Sequence, residues 1–238
     1  MKEKMHCTAL VLSAGQGKRM GTSVQKQYIE LEGKPVIYYS LKAFEDSQLI
    51  DDIVLVVGEG QREYARREIV EKYQLSKVKD IVYGGRERYD SVWQGLRAVS
   101  GKQGYVFIHD GARPFVDEDI LRRAYDTVSS CRACAAGMPS KDTIKVVDEE
   151  NFIVNTPKRK YTWMVQTPQV FEVSLITEAY SRLMKVEAVN VTDDAMAVEQ
   201  MMEVPVKLFE GSYENIKITT PEDLKVASAF LKKLKIKY

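Results

Sequence analysis

Residues Thr8-Ala9-Leu10-Val11-Leu12 form a near-continuous apolar run that empties into Ser13-Ala14-Gly15-Gln16-Gly17-Lys18-Arg19-Met20-Gly21. A run of that kind predicts a strand covered on both faces, as in a parallel sheet, rather than a strand with one wet side. In an open α/β sheet the loop at the carboxyl end of such a strand is where ligands bind. Small residues there let backbone N–H groups approach phosphate oxygens, and Lys18 and Arg19 add positive charge in the same turn. Spacing excludes two better-known loops. A Walker A loop needs four residues between its glycines followed by Lys-Ser/Thr, and the dinucleotide fingerprint needs Gly-x-Gly-x-x-Gly, whereas here Gly21 arrives one residue late. Alone, the turn suits a plain strand-to-helix connection as well as a phosphate site.

Working outward, apolar runs of strand length recur at Ile53–Val57, Tyr105–Ile108 and Ala133–Met138. Helical periodicity fills Pro35–Phe44, Gln61–Tyr73, Tyr89–Val99 and Glu118–Ser129, the last with Asp117 placed as an N-cap. The alternation predicts an α/β fold with a mostly parallel central sheet. From Thr143 to about Tyr161 the pattern turns to short alternating stretches around Asp148-Glu149-Glu150-Asn151, which predict a β-hairpin with little core of its own. A helix at Ser174–Met184 follows, then one behind Thr192-Asp193-Asp194. Strands are expected at Val206–Phe209 and Asn215–Ile218, and a final helix from Thr220-Pro221-Glu222-Asp223, a capping-box start. No linker-like stretch divides the chain, so residues 1–238 are expected to form a single domain, with a protruding arm at about 140–162.

Lys and Arg total 35 against 34 Asp and Glu, so no global field draws the protein to nucleic acid or to an anionic membrane. The first residues hold no signal-peptide core and no stretch of 18 apolar residues occurs, which makes a cytoplasmic location the expectation. The three cysteines, Cys7, Cys131 and Cys134, are expected to be thiols in that compartment. Cys131 and Cys134 have metal-ligand spacing, but no second pair exists and His6 and His109 lie far off in sequence, so zinc is not expected.

Several side chains carry candidate chemistry. Lys26, in Gln25-Lys26-Gln27-Tyr28, can fold back over phosphates or can be a solvated lysine. In His109-Asp110-Gly111-Ala112-Arg113-Pro114, Asp110 can bind a hydrated Mg²⁺ or ligand hydroxyls, and Arg113 can meet a phosphate in a planar fork. The alternative is an Asp–Arg pair that only pins the loop. His109 reads as a polar residue at a strand end with no general-base role. Ser91, in Gly84-Gly85-Arg86-Glu87-Arg88-Tyr89-Asp90-Ser91, either touches a nucleotide or caps a helix. Lys217 alternates with Ile216 and Ile218 and so faces away from the side they bury.

Taken in order, these segments resemble the 2-C-methyl-D-erythritol 4-phosphate cytidylyltransferase family over essentially the whole chain. The resemblance is carried by Ala14-Gly15-Gln16-Gly17-Lys18-Arg19-Met20, Lys26-Gln27-Tyr28, Glu87-Arg88 with Asp90-Ser91-Val92, and His109 to Pro114. It continues through Lys141-Asp142-Thr143-Ile144-Lys145, Gln166-Thr167-Pro168-Gln169, Thr192-Asp193-Asp194-Ala195 and Glu210 to Lys217. It implies a Rossmann-like nucleotidyltransferase sheet with a protruding β-hairpin arm, a homodimer formed through the arms, and Mg²⁺ carried with CTP. By the same resemblance Arg19 and Lys26 stabilise the α-phosphate, while Lys217 and Arg159, the latter acting in the partner's site, position the sugar-alcohol phosphate. Ala14, Gly15, Gly17, Gly85 and Ser91 match CTP contacts. Asp110, Arg113, Thr143, Thr167 and Thr192 match substrate or phosphate contacts, and Asp110 is also the one candidate metal ligand.

Three positions depart from the family pattern: Ser13 for a first alanine, Gln25 for a frequent proline, and Arg86 where some members are acidic. Arg86 is accordingly left out of the expected site. The acceptor phosphate carries its own ionised oxygen, so no activating Ser-His-Asp set is needed, and positioning plus electrostatics remain. The nearest rival is a ribitol-5-phosphate cytidylyltransferase of the same fold; Ala14 and Gly111-Ala112-Arg113 favour the methylerythritol enzyme. A non-catalytic nucleotide-binding regulatory subunit is a second alternative, opposed by Arg19, Lys26, Arg159 and Lys217 together. In a metal-dependent glycosyltransferase the Asp-x-Asp would be Asp117-Glu118-Asp119, better explained as a helix start.

Overall fold

The computed structural model describes residues 4–15, 25–99, 103–186 and 190–236. In chain order the elements are β1 (Cys7–Ser13), β2 (Glu30–Leu31), β3 (Lys34–Pro35), α1 (Val36–Asp46), β4 (Asp52–Val57), α2 (Arg62–Tyr64), β5 (Val78–Tyr83), α3 (Arg88–Val99) and β6 (Tyr105–Asp110). They continue with α4 (Glu118–Cys131), β7 (Ala133–Pro139), β8 (Val146–Val147), β9 (Ile153–Asn155), β10 (Trp163–Glu172), α5 (Val173–Leu183), α6 (Asp194–Met202), β11 (Lys207–Glu210) and α7 (Pro221–Ile236). The stretch expected as one helix from Gln61 to Tyr73 is α2 running on as a π-helical segment, Ala65–Glu71.

The main sheet has seven strands in the order β11-β7-β10-β6-β1-β4-β5. β10 is antiparallel to both its neighbours and every other adjacent pair is parallel, so the mostly parallel expectation holds. Period-two alternation divides the strand side chains between two cores. Ala9, Val11, Ile53, Leu55 and Phe107 meet α1 and α4 on one face, where Leu41, Phe44 and Ile120 are buried. Leu10, Val54, Val56, Val106 and Ile108 meet α3, α5 and α6 on the other, where Leu96, Ile176 and Val198 are buried. A smaller cluster joins α7 to the start of α1 through Val36, Phe115, Ile218 and Leu231. Asp117 caps α4 as expected, its carboxylate accepting the Ile120 N–H at 2.8 Å.

Two strands of the main sheet escaped the sequence reading, as did the short β2–β3 pair. β5 is an edge strand whose exposed Lys79 and Asp80 break the apolar run that the periodicity criterion needs. β10 contains Pro168, which ordinarily argues against an interior strand; the proline sits where the register with β7 shifts between Val165 and Gln169. Conversely, Asn215–Ile218 is not a strand. Among its backbone groups Ile218 N–H donates to Ala112 O at 2.8 Å, and the segment forms no ladder. Lys217 nonetheless turns away from the side that Ile216 and Ile218 bury, as expected, and its side chain enters the cleft described below.

The hairpin appears as the two-stranded ladder β8–β9 closed by a turn in which Asp148 accepts from the N–H groups of Glu150 and Phe152. Phe152, Ile153 and Val154 are 67%, 60% and 61% exposed, so the ladder leaves much of its apolar surface uncovered.

Candidate active site

From β1 the chain winds outward through β4 and β5, then returns to place β6 on the other side of β1. That reversal opens a crevice at the carboxyl ends of the strands, the expected ligand position in such a sheet. A cleft of about 800 Å³ lies there, lined among others by Ala14, Gly15, Lys26, Gly85, Ser91, Asp110 and Lys217. Site residues expected from five separate parts of the sequence thus converge on one space. Gly17 and Arg19 lie outside the described residues.

One wall of the cleft is the turn between β5 and α3. Gly85 N–H donates to Ser91 Oγ at 3.1 Å, Ser91 Oγ–H to Glu87 O at 3.2 Å, and Glu87 N–H to Asp90 Oδ2 at 3.0 Å, so the turn holds itself. Ser91 serves locally as both acceptor and donor. A Cβ on Gly84 would stand 2.5 Å from Ala14 Cβ and 2.6 Å from Ser91 Oγ, a close approach that only glycine permits. Lys26 opens a single 3₁₀ turn, Lys26–Tyr28, held by Gln27, whose amide donates to Ser13 O at 2.6 Å and to Gln25 Oε1 at 2.7 Å. Gln25, the departure from a frequent proline, thus has a local partner.

Across the cleft, Asp110 ends β6 with three cations around it. Lys217 Nζ is 2.7 Å away, Arg88 Nε 3.5 Å and Arg113 Nε 3.9 Å. Burial penalises the Asp110 charge, but Arg88, Lys217 and Arg113 outweigh it and hold the carboxyl well below the usual carboxylate range. Arg113 donates to Asn215 O at 2.7 Å and is itself pulled down by burial against the opposing pull of Asp110. The Asp110–Arg113 motif therefore pins its loop, and Asp110 also places an anion in the cleft.

The segment Gln166-Thr167-Pro168-Gln169 on β10 organises the wall that carries Asp110 and Lys217. Gln166 donates to Ser212 O at 2.7 Å, and Asn215 donates to Gln166 Oε1 at 3.2 Å and to Thr167 O at 2.9 Å, which fixes the loop that carries Lys217. Thr167 Oγ accepts the Asp110 N–H at 3.0 Å and lies 3.1 Å from His109 Nδ1. Gln169 donates to Asp193 Oδ2 and accepts the Ala195 N–H, both at 2.9 Å, anchoring the turn after Thr192. Thr167 thus acts from behind Asp110, buried, and Thr192 stands exposed at the start of α6. Thr143 and Arg159 lie on the exposed arm and are not among the residues lining the cleft.

Sequence reasoning missed Arg88, Gln25, Gln27 and Asp194 as shapers of the site. Arg88 and Asp194 were visible only as members of matching motifs, and their partnership spans 106 positions, beyond any local pattern.

The family model for 2-C-methyl-D-erythritol 4-phosphate cytidylyltransferase (IspD) matches residues 7–233. The chain belongs to this cytidylyltransferase family. The family protein of that name from Lachnospira eligens is 52% identical over 226 residues, covering 94% of this chain and 99% of that one. The 4-diphosphocytidyl-2C-methyl-D-erythritol synthase structure from Anaerococcus prevotii superposes with a TM-score of 0.84 at 33% identity, covering 96% of this chain and 97% of that one. The family structure from Francisella tularensis gives 0.79 at 29% identity, covering 94% and 99%.

Proposed function

We propose that the chain transfers CMP from CTP to 2-C-methyl-D-erythritol 4-phosphate, giving 4-diphosphocytidyl-2-C-methyl-D-erythritol and pyrophosphate. The observation that carries the reading is the single cleft in which a self-held glycine wall and Lys26 face the Asp110–Lys217 pair. One wall suits a triphosphate and the other a second phosphate ester. An oxygen of the acceptor phosphate attacks the α-phosphate of CTP, the bond to the β-phosphate oxygen breaks, and pyrophosphate carries away the electron pair. The acceptor oxygen is ionised near neutral pH, so the protein's work is alignment and charge neutralisation.

In this reading Ala14, Gly15, Gly17, Gly85 and Ser91 cradle the nucleotide, and Lys26 with Arg19 opposes charge growing on the α-phosphate. Lys217 exchanges its partner Asp110 for the arriving acceptor phosphate, which keeps its charge compensated in both states. Arg113, Thr167 and Thr192 support that pocket. Arg159 and Thr143 reach it from the arm of a second copy, which would also cover the exposed Phe152, Ile153 and Val154 in a homodimer. The location assigned is cytoplasmic; no described helix is long and apolar enough to cross a membrane. Nucleic acid and membrane are not among the partners proposed.

Among the described residues no three His, Cys, Asp or Glu side chains converge on a metal position, and Asp110 already faces three cations. These donors do not fit a protein-held cation. Mg²⁺ is assigned to the CTP phosphates, where it would neutralise charge, while Asp110, the one protein ligand expected from the sequence, is instead taken up by Arg88, Arg113 and Lys217. The test is steady-state pyrophosphate release from CTP with methylerythritol phosphate and with ribitol 5-phosphate, with and without Mg²⁺. Higher kcat/KM for the methylerythritol ester supports the reading, and preference for ribitol 5-phosphate or no turnover of either overturns it.

A further inference from the structure

Arg88 and Asp194 have no assigned ligand contact, yet Asp194 is fully buried and the two form a planar double hydrogen bond. Nη1 and Nη2 of Arg88 donate to Oδ1 and Oδ2 of Asp194 at 2.8 and 2.7 Å. Tyr180 O–H donates to the same Oδ1 at 2.6 Å. The remaining donor of the guanidinium, Nε on its other edge, faces Asp110 Oδ1 at 3.5 Å. A guanidinium used on both edges fixes two carboxylates relative to each other, which a point charge cannot do.

The pair joins the two halves of the cleft. Arg88 opens α3 directly after the nucleotide-side turn, and Asp194 opens α6 two residues after Thr192. The nucleotide turn is closed by Gly85, Ser91, Glu87 and Asp90 among themselves and uses none of the Arg88 side chain. The guanidinium is spent on the acceptor side, on Asp194 and on Asp110, the partner of Lys217. Burial opposes the Arg88 charge, but Asp194 and Asp110 outweigh it and keep the group firmly cationic.

We infer that Arg88 and Asp194 are positioning residues for the acceptor half of the reaction: their buried fork ties the Thr192 turn to α3 and fixes Asp110, and through it Lys217, at the depth the sugar phosphate requires. The inference rests on the function proposed above. It separates a residue that lines the cleft beside the nucleotide wall from nucleotide binding itself.

The test uses the full chain with Arg88→Lys, which keeps the charge but cannot span both carboxylates, and Asp194→Asn, which keeps shape and a hydrogen-bond acceptor for Tyr180. Acceptor KM and kcat are measured with CTP saturating, and CTP affinity by calorimetric titration without acceptor. Acceptor KM is expected to rise at least about tenfold in both variants, the scale of one lost charge-assisted hydrogen bond. The Kd for CTP should stay within about threefold, since no hydrogen bond of the nucleotide turn is removed. A folded variant with lowered Tm and unchanged acceptor KM overturns the inference in favour of a purely structural pair, as does equal weakening of CTP and acceptor. If Asp194→Asn does not fold, Arg88→Lys and Arg88→Gln carry the same comparison. Absence of turnover in the unmodified protein refutes the proposed reaction itself, and the inference with it; unchanged acceptor KM in variants of an active enzyme refutes only the inference.

Discussion

His109 makes the protein's stability acid-sensitive in a window that can be stated in advance. The ring is fully buried at the end of β6, with Nε2 3.1 Å from Arg113 O and Nδ1 3.1 Å from Thr167 Oγ. A carbonyl only accepts, so Nε2 carries the hydrogen, and Nδ1 accepts from the Thr167 hydroxyl, which itself accepts the Asp110 N–H. The neutral ring therefore satisfies every partner. Burial pulls its pKa down to about 4, against the opposing pull of the Arg113 carbonyl and the Asp110 charge. An unfolded histidine titrates near 6.5, so between those values the unfolded chain binds a proton that the native state refuses. Stability is thus full above about pH 6.5 and falls as pH drops toward 4, with about 2 kcal/mol lost between pH 7 and pH 5. Asp110, whose pKa is lowered, has the opposite character of charge and loses its contribution only below the ordinary carboxylate range, outside this window. The assay is urea unfolding at the two pH values in a His6→Gln background, which leaves His109 as the one histidine. The reference should lose about 2 kcal/mol, while a further His109→Gln change, whose amide can donate to the Arg113 carbonyl, should flatten the profile to within ~0.5 kcal/mol. An equal decline with and without His109 would refute the reasoning.

Other expectations follow from the cleft. Lys26→Ala should fold normally and lose roughly 10²–10³-fold in turnover, the scale for one transition-state donor, and near-normal pyrophosphate release would remove Lys26 from that role. Arg159→Ala should weaken use of the sugar phosphate more than CTP binding, because the arm is assigned to the acceptor; equal losses in calorimetric titration would contradict the assignment. Gly84→Ala places a methyl 2.5 Å from Ala14 Cβ and should weaken CTP binding while leaving the rest of the fold intact. Unchanged CTP affinity would show that the wall can yield without consequence.

The parts of this protein legible from sequence are those in which local chemistry and tertiary role coincide. β1, β4 and β6 are apolar because they are buried on both faces, and the carboxyl ends of β1 and β6 carry Ala14, Gly15 and Asp110, which line the cleft. Asp117 could be read as a cap from its own neighbours. β10 could not, because Pro168 suggests a break and its strand character comes from partners on β6 and β7. For Lys217 the side was legible, opposite Ile216 and Ile218, but not the irregular backbone, which is held by the distant Gln166, Thr167 and Ala112. Arg88 and Asp194 escaped for the same reason: a buried ion pair between distant helices leaves no periodic trace.

The central claim is the bond formed. Phosphorus NMR of a mixture of the protein, Mg²⁺, CTP and methylerythritol phosphate observes it directly. The account predicts that the acceptor monoester and triphosphate signals decline together as a new diphosphate diester and free pyrophosphate appear in equal amounts. An acceptor signal that persists unchanged, with CTP intact or hydrolysed only by water, would contradict it.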